Sequence, residues 1–196
     1  MKFIGEHEMA FDGQALGFPS IQGCHAIVYQ TSQGIYGYHN YGGSATAAFS
    51  VRAARFRHFL QQLGALNTPA YRLYGVSFVG NNQRGYAMND VKGQWKQELT
   101  EFANALNYTG KISGYDLYKT FQGANDCAYV EFRANHHKCD LYVRQWMPGQ
   151  ENDVMLGVPP QNHHVRHNGV NMQNVDRAFT QISRIGVTKV SKQQLR

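Results

Sequence analysis

Apolar residues along the chain follow two spacings, one typical of strands and one typical of helices. Short apolar or aromatic-rich runs, bounded by glycine and polar residues, predict strands. They cover residues 25–30, 35–41, 71–79, 111–120, 127–133 and 139–146. Two polar turns, at 31–34 and 134–138, separate neighbouring runs and predict hairpins.

Longer segments repeat their apolar residues at helical spacing. Residues 45–63 and 90–106 predict two helices, with Ser44 as the cap of the first and Asn89 or Asp90 as the cap of the second. A short final helix is predicted near 175–185, after a loop-rich stretch at 148–169.

The strands are grouped in hairpins rather than alternating one by one with helices. This order predicts an α+β fold with mixed or antiparallel sheets, sandwich-like and flanked by helices. The chain has no internal repeat and no low-complexity linker, so residues 1–196 are interpreted as one catalytic domain. Residues 1–20 are predicted to be an irregular lead-in with one short strand, and residues 186–196 a frayed basic tail.

The composition and charge of the chain argue against several classes of function. A hydrophobic content of 42% is typical of a folded domain, and no apolar run approaches the roughly 18 residues of a membrane span. The net charge of +6 is spread thinly and no nucleic-acid-binding motif accompanies it, so no nucleic acid is expected as a partner. The first residues lack the apolar core of a secretory signal.

Three cysteines, Cys24, Cys127 and Cys139, cannot all pair within one chain. Cys127 and Cys139 are interpreted as reduced packing residues. Cys24 differs because it follows a glycine at the start of the first hairpin, and His39 lies on the second strand of that hairpin. Adjacent strands can hold a thiol beside an imidazole, as a cysteine nucleophile requires. His25 is expected on the opposite strand face and is not favoured as the base.

The segment Gln22-Gly23-Cys24, the apolar strand after it and His39 on the next strand resemble the glutamine deamidases typified by cytotoxic necrotizing factor toxins and the chemoreceptor deamidase CheD. The order of later elements is similar over residues 20–146. The resemblance implies that Cys24 attacks a glutamine side chain of a protein substrate while His39 transfers protons. Backbone N–H groups of Gly23 and Cys24 would form the oxyanion hole, and the reaction would need no cofactor or metal. If an amine replaced water, the same thioester would give transglutamination.

The third catalytic group is not carried over by the resemblance. Gln22 stands where the toxins have serine, and Phe18 stands where the chemoreceptor deamidases have threonine. Ser20 is a nearby hydroxyl and the candidate substitute. The carboxylates that are candidates for orienting His39 are Asp126, Glu131 and Asp140.

The same resemblance implies a bacterial effector or toxin. Such a protein would be secreted without a signal peptide or delivered into the cytosol of a target cell, and would otherwise be cytoplasmic. An immunity or chaperone protein is a further candidate partner.

Other interpretations stay open. The Cys24–His39 pair also suits a cysteine peptidase or amidase, and a basic protein-binding module would leave Cys24 inert. Histidines and a cysteine are zinc ligands, but adjacent histidines on a strand point to opposite faces, so polar turn residues are favoured over a metal site. The residues concerned are His136, His137, Cys139, His163, His164 and His167.

Overall fold

The structure, a computed structural model, describes residues 1–5, 8–41, 49–79, 86, 89–121, 127–146 and 184–196. The strands of this part are β1 (Lys2–Phe3), β2 (Met9–Asp12), β3 (Ala15–Ile21), β4 (Cys24–Thr31), β5 (Gly34–Tyr41), β6 (Ala70–Ser77), β7 (Ile112–Asp116), β8 (Ala128–Asn135), β9 (Lys138–Gln145), β10 (Thr188–Val190) and β11 (Gln193–Gln194). Its helices are α1 (Phe49–Gln62), α2 (Val91–Ala105), α3 (Tyr118–Phe121) and a 3-10 helix at Ala65–Asn67.

Two sheets and the long helices stack in three layers. The six-stranded sheet has the order β11-β7-β6-β4-β5-β2, and the five-stranded sheet has the order β1-β3-β8-β9-β10. One face of the six-stranded sheet packs on α1 and α2 around Phe56 and Phe102. Its other face packs on the five-stranded sheet around Phe18 and Phe132. Each sheet contains one parallel pair, so the predicted single-domain α+β fold with mixed sheets is confirmed.

Strand β4 lies inside the six-stranded sheet and is buried along its whole length. Successive side chains of a strand point to opposite faces. Ile27 and Tyr29 therefore join the core beneath the helices, whereas Ala26 and Val28 join the core between the sheets. Position along β4, odd or even, decides which of the two cores a side chain enters.

Most predicted elements lie where the sequence placed them. Turns at residues 32–33 and 136–137 join the two predicted hairpins. Helix α2 begins after Asp90, whose carboxylate accepts a hydrogen bond from the backbone N–H of Gly93 and so acts as the N-cap. Helix α1 is described from Phe49, so the predicted start at 45 and the Ser44 cap lie outside the described residues.

The predicted strand over 111–120 is wrong in its second half, because β7 ends at Asp116 and α3 follows. The Asp116 carboxylate accepts hydrogen bonds from the backbone N–H groups of Val79 and Tyr118, which turns the chain at this point. The predicted loop at 148–169 and all but the end of the predicted helix at 175–185 lie outside the described residues.

Both chain ends were predicted to be irregular, and both predictions are wrong. The first 20 residues contain β1, β2 and most of β3, and the last residues contain β10 and β11. Strands β1 and β2, which we call the N-terminal edge pair, lie in different sheets, and each forms one edge of its sheet. Strands β10 and β11, the C-terminal edge pair, form the opposite edges of the same two sheets. Unpaired strand edges are exposed hydrogen-bonding surfaces, so these short strands complete the fold.

Candidate functional site

Cys24 and His39 lie on the same face of the β4–β5 hairpin. The register pairs Ala26 with His39 and Cys24 with Tyr41, which makes Cys24 and His39 diagonal neighbours. Diagonal neighbours on one face of an antiparallel pair are about 7 Å apart at the backbone. Both side chains enter the core between the sheets, but no hydrogen bond joins His39 Nε2 to the Cys24 thiol.

The His39 ring is fixed by a main-chain carbonyl. Its Nδ1 lies 2.8 Å from the carbonyl oxygen of Ile4. A carbonyl oxygen can only accept, so Nδ1 carries the proton and Nε2 of the neutral ring is an acceptor. That Nε2 atom is buried and has no hydrogen-bond partner among the described residues. The ring is therefore held in the tautomer that a proton-accepting histidine needs.

Burial sets the protonation state of His39. The side chain is fully buried, and the ring centroid of Phe18 lies 6.2 Å from its own. Burial lowers the pKa of His39 from 6.5 to about 4, although the hydrogen bond to Ile4 acts in the opposite direction. His39 is consequently neutral at pH 7.

The N-terminal edge pair delivers the Ile4 carbonyl to His39. The backbone N–H of Ile4 donates to the carbonyl of Gly17, and that of His39 donates to the carbonyl of Glu8. Gly37 permits this close approach, because a Cβ atom there would lie 2.6 Å from Ile4 Cδ1. This orienting group could not be predicted from the sequence, since any residue supplies a carbonyl.

Cys24 is the first residue of β4 and follows the bend at residues 22–23, which includes Gly23. Its side chain is 3% exposed and packs in the core between the sheets. All three cysteines are buried, and none of them forms a disulfide. The assignment of the Gly23 and Cys24 N–H groups to an oxyanion hole stays a prediction.

The candidate third residues lie in other surroundings. Ser20 Oγ is 3.7 Å from Cys127 Sγ, and Cys127 belongs to a cluster separate from that of Cys24. Glu131 is bound by Arg184, and the Asp140 carboxylate lies 3.0 Å from Lys189 Nζ. The group bound to His39 Nδ1 is the main-chain carbonyl of Ile4. Asp126 lies outside the described residues.

His25 points to the helix layer, opposite to Cys24, as the strand alternation predicted. Its Nδ1 is 2.7 Å from Oε2 of Glu98, a fully buried residue of α2. Glu98 also accepts hydrogen bonds from Tyr86 and Asn40. Sequence reasoning missed this cluster, although a glutamate inside the apolar stripe of α2, next to Leu99, was a usable signal.

The histidines at the β8–β9 turn do not gather with other ligand types. His137 stacks on Tyr71 with ring centroids 4.3 Å apart. Within the described residues, no group of three or more His, Cys, Asp or Glu side chains is arranged to hold a metal ion. His163, His164 and His167 lie outside that part of the chain.

Among the described residues, two surface pockets lie away from the Cys24–His39 pair. One, of about 810 Å³, lies toward the turn end of β4 and includes Tyr29 and Arg57 in its lining. The other, of about 500 Å³, lies beside the start of α2 and includes Lys92 and Lys119. Neither pocket is lined by Cys24 or His39.

Comparison with known proteins adds no assignment: no protein-family profile matches the chain, and no curated protein is significantly similar in sequence. Among the described residues, no helix has both the length and the apolar character required to cross a membrane.

Proposed function

We propose that this chain is a cysteine-dependent protein-glutamine deamidase, with Cys24 as nucleophile and His39 as proton carrier. The observation that supports this most is the state of His39. Its Nδ1–H is bound to the Ile4 carbonyl, and its buried Nε2 is unpartnered among the described residues, on the hairpin face that holds Cys24. A nucleophile and an oriented base on one rigid hairpin are the components of thiol catalysis.

In the proposed reaction, His39 Nε2 takes the Cys24 thiol proton, and the sulfur attacks the side-chain amide carbon of glutamine. The resulting oxyanion is stabilised by the N–H groups of Gly23 and Cys24. The carbon–nitrogen bond then breaks, and ammonia leaves with the proton from His39. Water attacks the thioester while His39 accepts a proton, and cleavage of the carbon–sulfur bond gives glutamate and the free thiol.

His39 enters the first step as a neutral and weak base, because a pKa of about 4 lies well below that of an ordinary thiol. With its pKa lowered to about 4 by burial, the ring is neutral at pH 7 and can accept a proton. The Ile4 carbonyl stabilises the cation once it forms, because it accepts the Nδ1–H bond. Cys24 is almost fully buried, so a glutamine side chain reaches its sulfur only after neighbouring side chains move.

The main experiment compares the wild-type protein with Cys24→Ala and His39→Ala in bacterial and eukaryotic cell lysates. Quantitative peptide mass spectrometry would detect conversion of specific glutamines to glutamates. We expect conversion by the wild type and its loss in both variants. Cys127→Ala is the matched control, because Cys127 is an equally buried cysteine outside the pair.

The other interpretations give different products. Backbone cleavage without ammonia release would indicate a peptidase, and incorporation of an added primary amine would indicate transglutamination. Conversion that persists in Cys24→Ala would contradict the proposal.

A second measurement needs no substrate. The rate of Cys24 alkylation by iodoacetamide is followed against pH in the wild type and in His39→Ala. If the pH midpoint of alkylation is near 8.5 and does not change in His39→Ala, the thiol is unactivated. That result would favour the binding-module interpretation.

The setting implied by the resemblance belongs to the same proposal. The substrate would be a protein of a host or competitor cell, reached by signal-independent secretion or delivery. Conversion of particular glutamines in only one lysate type would identify which kind of cell supplies the target.

A further inference from the structure

One buried carboxylate connects the back of the candidate site to both long helices. Glu98, in α2, is fully buried. Its Oε2 accepts hydrogen bonds from His25 Nδ1 at 2.7 Å and from the Tyr86 hydroxyl at 2.5 Å. Its Oε1 accepts a hydrogen bond from Asn40 Nδ2 at 2.7 Å and lies 3.7 Å from a guanidinium nitrogen of Arg52 in α1.

This carboxylate is ionised despite its burial. Desolvation disfavours the charged form, but the facing His25, Tyr86 and Arg52 hold the pKa of Glu98 below its usual value. Hydrogen bonds to a charged acceptor are about twice as strong as those between neutral groups. Glu98 is therefore a strong attachment point in an otherwise apolar core.

Two of the residues bound by Glu98 face each other across the hairpin. The register pairs His25 with Asn40, so Glu98 bridges one rung of β4 and β5. Each of these residues is the sequence neighbour of one member of the candidate pair, since His25 follows Cys24 and Asn40 follows His39. The bridged rung lies between the rungs that contain Cys24 and His39.

We propose that Glu98 is a positioning residue, which holds Cys24 and His39 in register by fixing the His25–Asn40 rung from the helix side. This inference rests on the proposed function for its catalytic consequence, but not for its structural part. The site end of the hairpin is where β4 begins and β5 ends, and strand ends open more readily than strand centres. A bridge on the back of the sheet restrains this opening without occupying the face where a substrate would react.

The test uses Glu98→Gln, which keeps the side-chain shape but removes the charge. Glu101→Gln is the matched control, because it removes the same charge from a less buried position of α2. Hydrogen exchange is measured by mass spectrometry on peptides covering 24–26 and 39–41, and on the turn end at 30–35. We expect at least about tenfold faster exchange at the site end in Glu98→Gln, with little change at the turn end.

Unchanged protection of the site end in folded Glu98→Gln would overturn the proposal. An equal loss of protection at the site end and the turn end would also overturn it, because that result indicates a general loss of stability. If Glu98→Gln does not fold, Asn40→Ser provides the second variant. It removes one hydrogen bond to Glu98 and keeps the contact between Glu98 and His25 Nδ1.

The catalytic consequence is measured separately, by the pH dependence of Cys24 alkylation by iodoacetamide. We expect the midpoint to move toward the ordinary thiol value in Glu98→Gln and to stay at the wild-type value in Glu101→Gln. If the wild-type thiol is itself unactivated, the proposed function fails, while the hydrogen-exchange result still decides whether Glu98 fixes the rung. If the wild type is active and the midpoint is unmoved despite local opening, the positioning role fails alone.

Discussion

His25 and His39 lie on adjoining rungs of one hairpin, both buried, with opposite surroundings. Each has a protein oxygen at Nδ1 and an unpartnered Nε2 among the described residues. On the helix side the oxygen belongs to the ionised carboxylate of Glu98, whereas between the sheets it belongs to the neutral carbonyl of Ile4. The carboxylate makes His25 part of a charged network that joins structural elements. The carbonyl orients His39 without supplying a counter-charge, so burial keeps that ring neutral and available for proton transfer.

The largest expected effect is the loss of stability on replacing Glu98, the carboxylate on the helix side of the hairpin. Glu98→Ala leaves the hydrogen-bond donors of His25, Asn40 and Tyr86 buried without their acceptor. Removal of one partner from a buried charged pair costs about 3 to 5 kcal/mol of unfolding free energy. Urea unfolding measures this loss, and Glu101→Ala should change the free energy by no more than about 0.5 kcal/mol. A similar loss in both variants would mean that the network does not hold the helix side together.

The second prediction concerns pH and the side between the sheets. The pKa of His39 is about 4 in the folded state and 6.5 as its ordinary value, so between these values the unfolded state binds the additional proton. Stability from neutral His39 is therefore complete above pH 6.5 and is lost as the pH falls through 4. The expected loss is about 3 kcal/mol.

Urea unfolding of the wild type and His39→Gln at several pH values isolates this contribution. His39→Gln should lack the decrease between pH 6.5 and pH 4, while acidic groups such as Glu98 continue to destabilise both proteins at lower pH. A parallel decrease in the two proteins would show that His39 is not the responsible group.

The smallest expected effect tests whether the Ile4 carbonyl orients the His39 ring. In Gly37→Ala the new Cβ atom would contact Ile4, Leu16 and Phe18 at 2.6 to 2.8 Å, and such overpacking costs about 1 to 3 kcal/mol. We expect the Ile4 carbonyl to move from His39, so that deamidation falls more than the folded fraction does. Nitrogen NMR of the His39 ring would report the loss of the fixed tautomer. Gly13→Ala is the control, because nothing lies within 4 Å of a Cβ atom there.

The local pattern of the chain was sufficient for the central elements. Strand alternation correctly separated His25 from Cys24, and a turn between two apolar runs correctly placed His39 beside β4. These features depend on neighbours within one hairpin, where sequence spacing fixes the geometry.

The remaining features depend on contacts between distant segments. The edge pairs are only two to four residues per strand, too short for a periodic pattern, and the partners of β10 and β11 lie far along the chain. The Ile4 carbonyl carries no side-chain signature. Glu98 differs, because its apolar neighbours on α2 indicated a buried charge. They did not indicate which strands that charge would bind.

The N-terminal edge pair also has a consequence for how the protein folds. Hairpins such as β4–β5 join residues close in sequence and can form early, whereas pairing of β3 with β8 and of β11 with β7 requires closure of long loops. The Ile4 carbonyl reaches His39 only when the first strands dock on sheets that such slow steps build. We therefore expect thiol reactivity to appear late in refolding, after most secondary structure has formed.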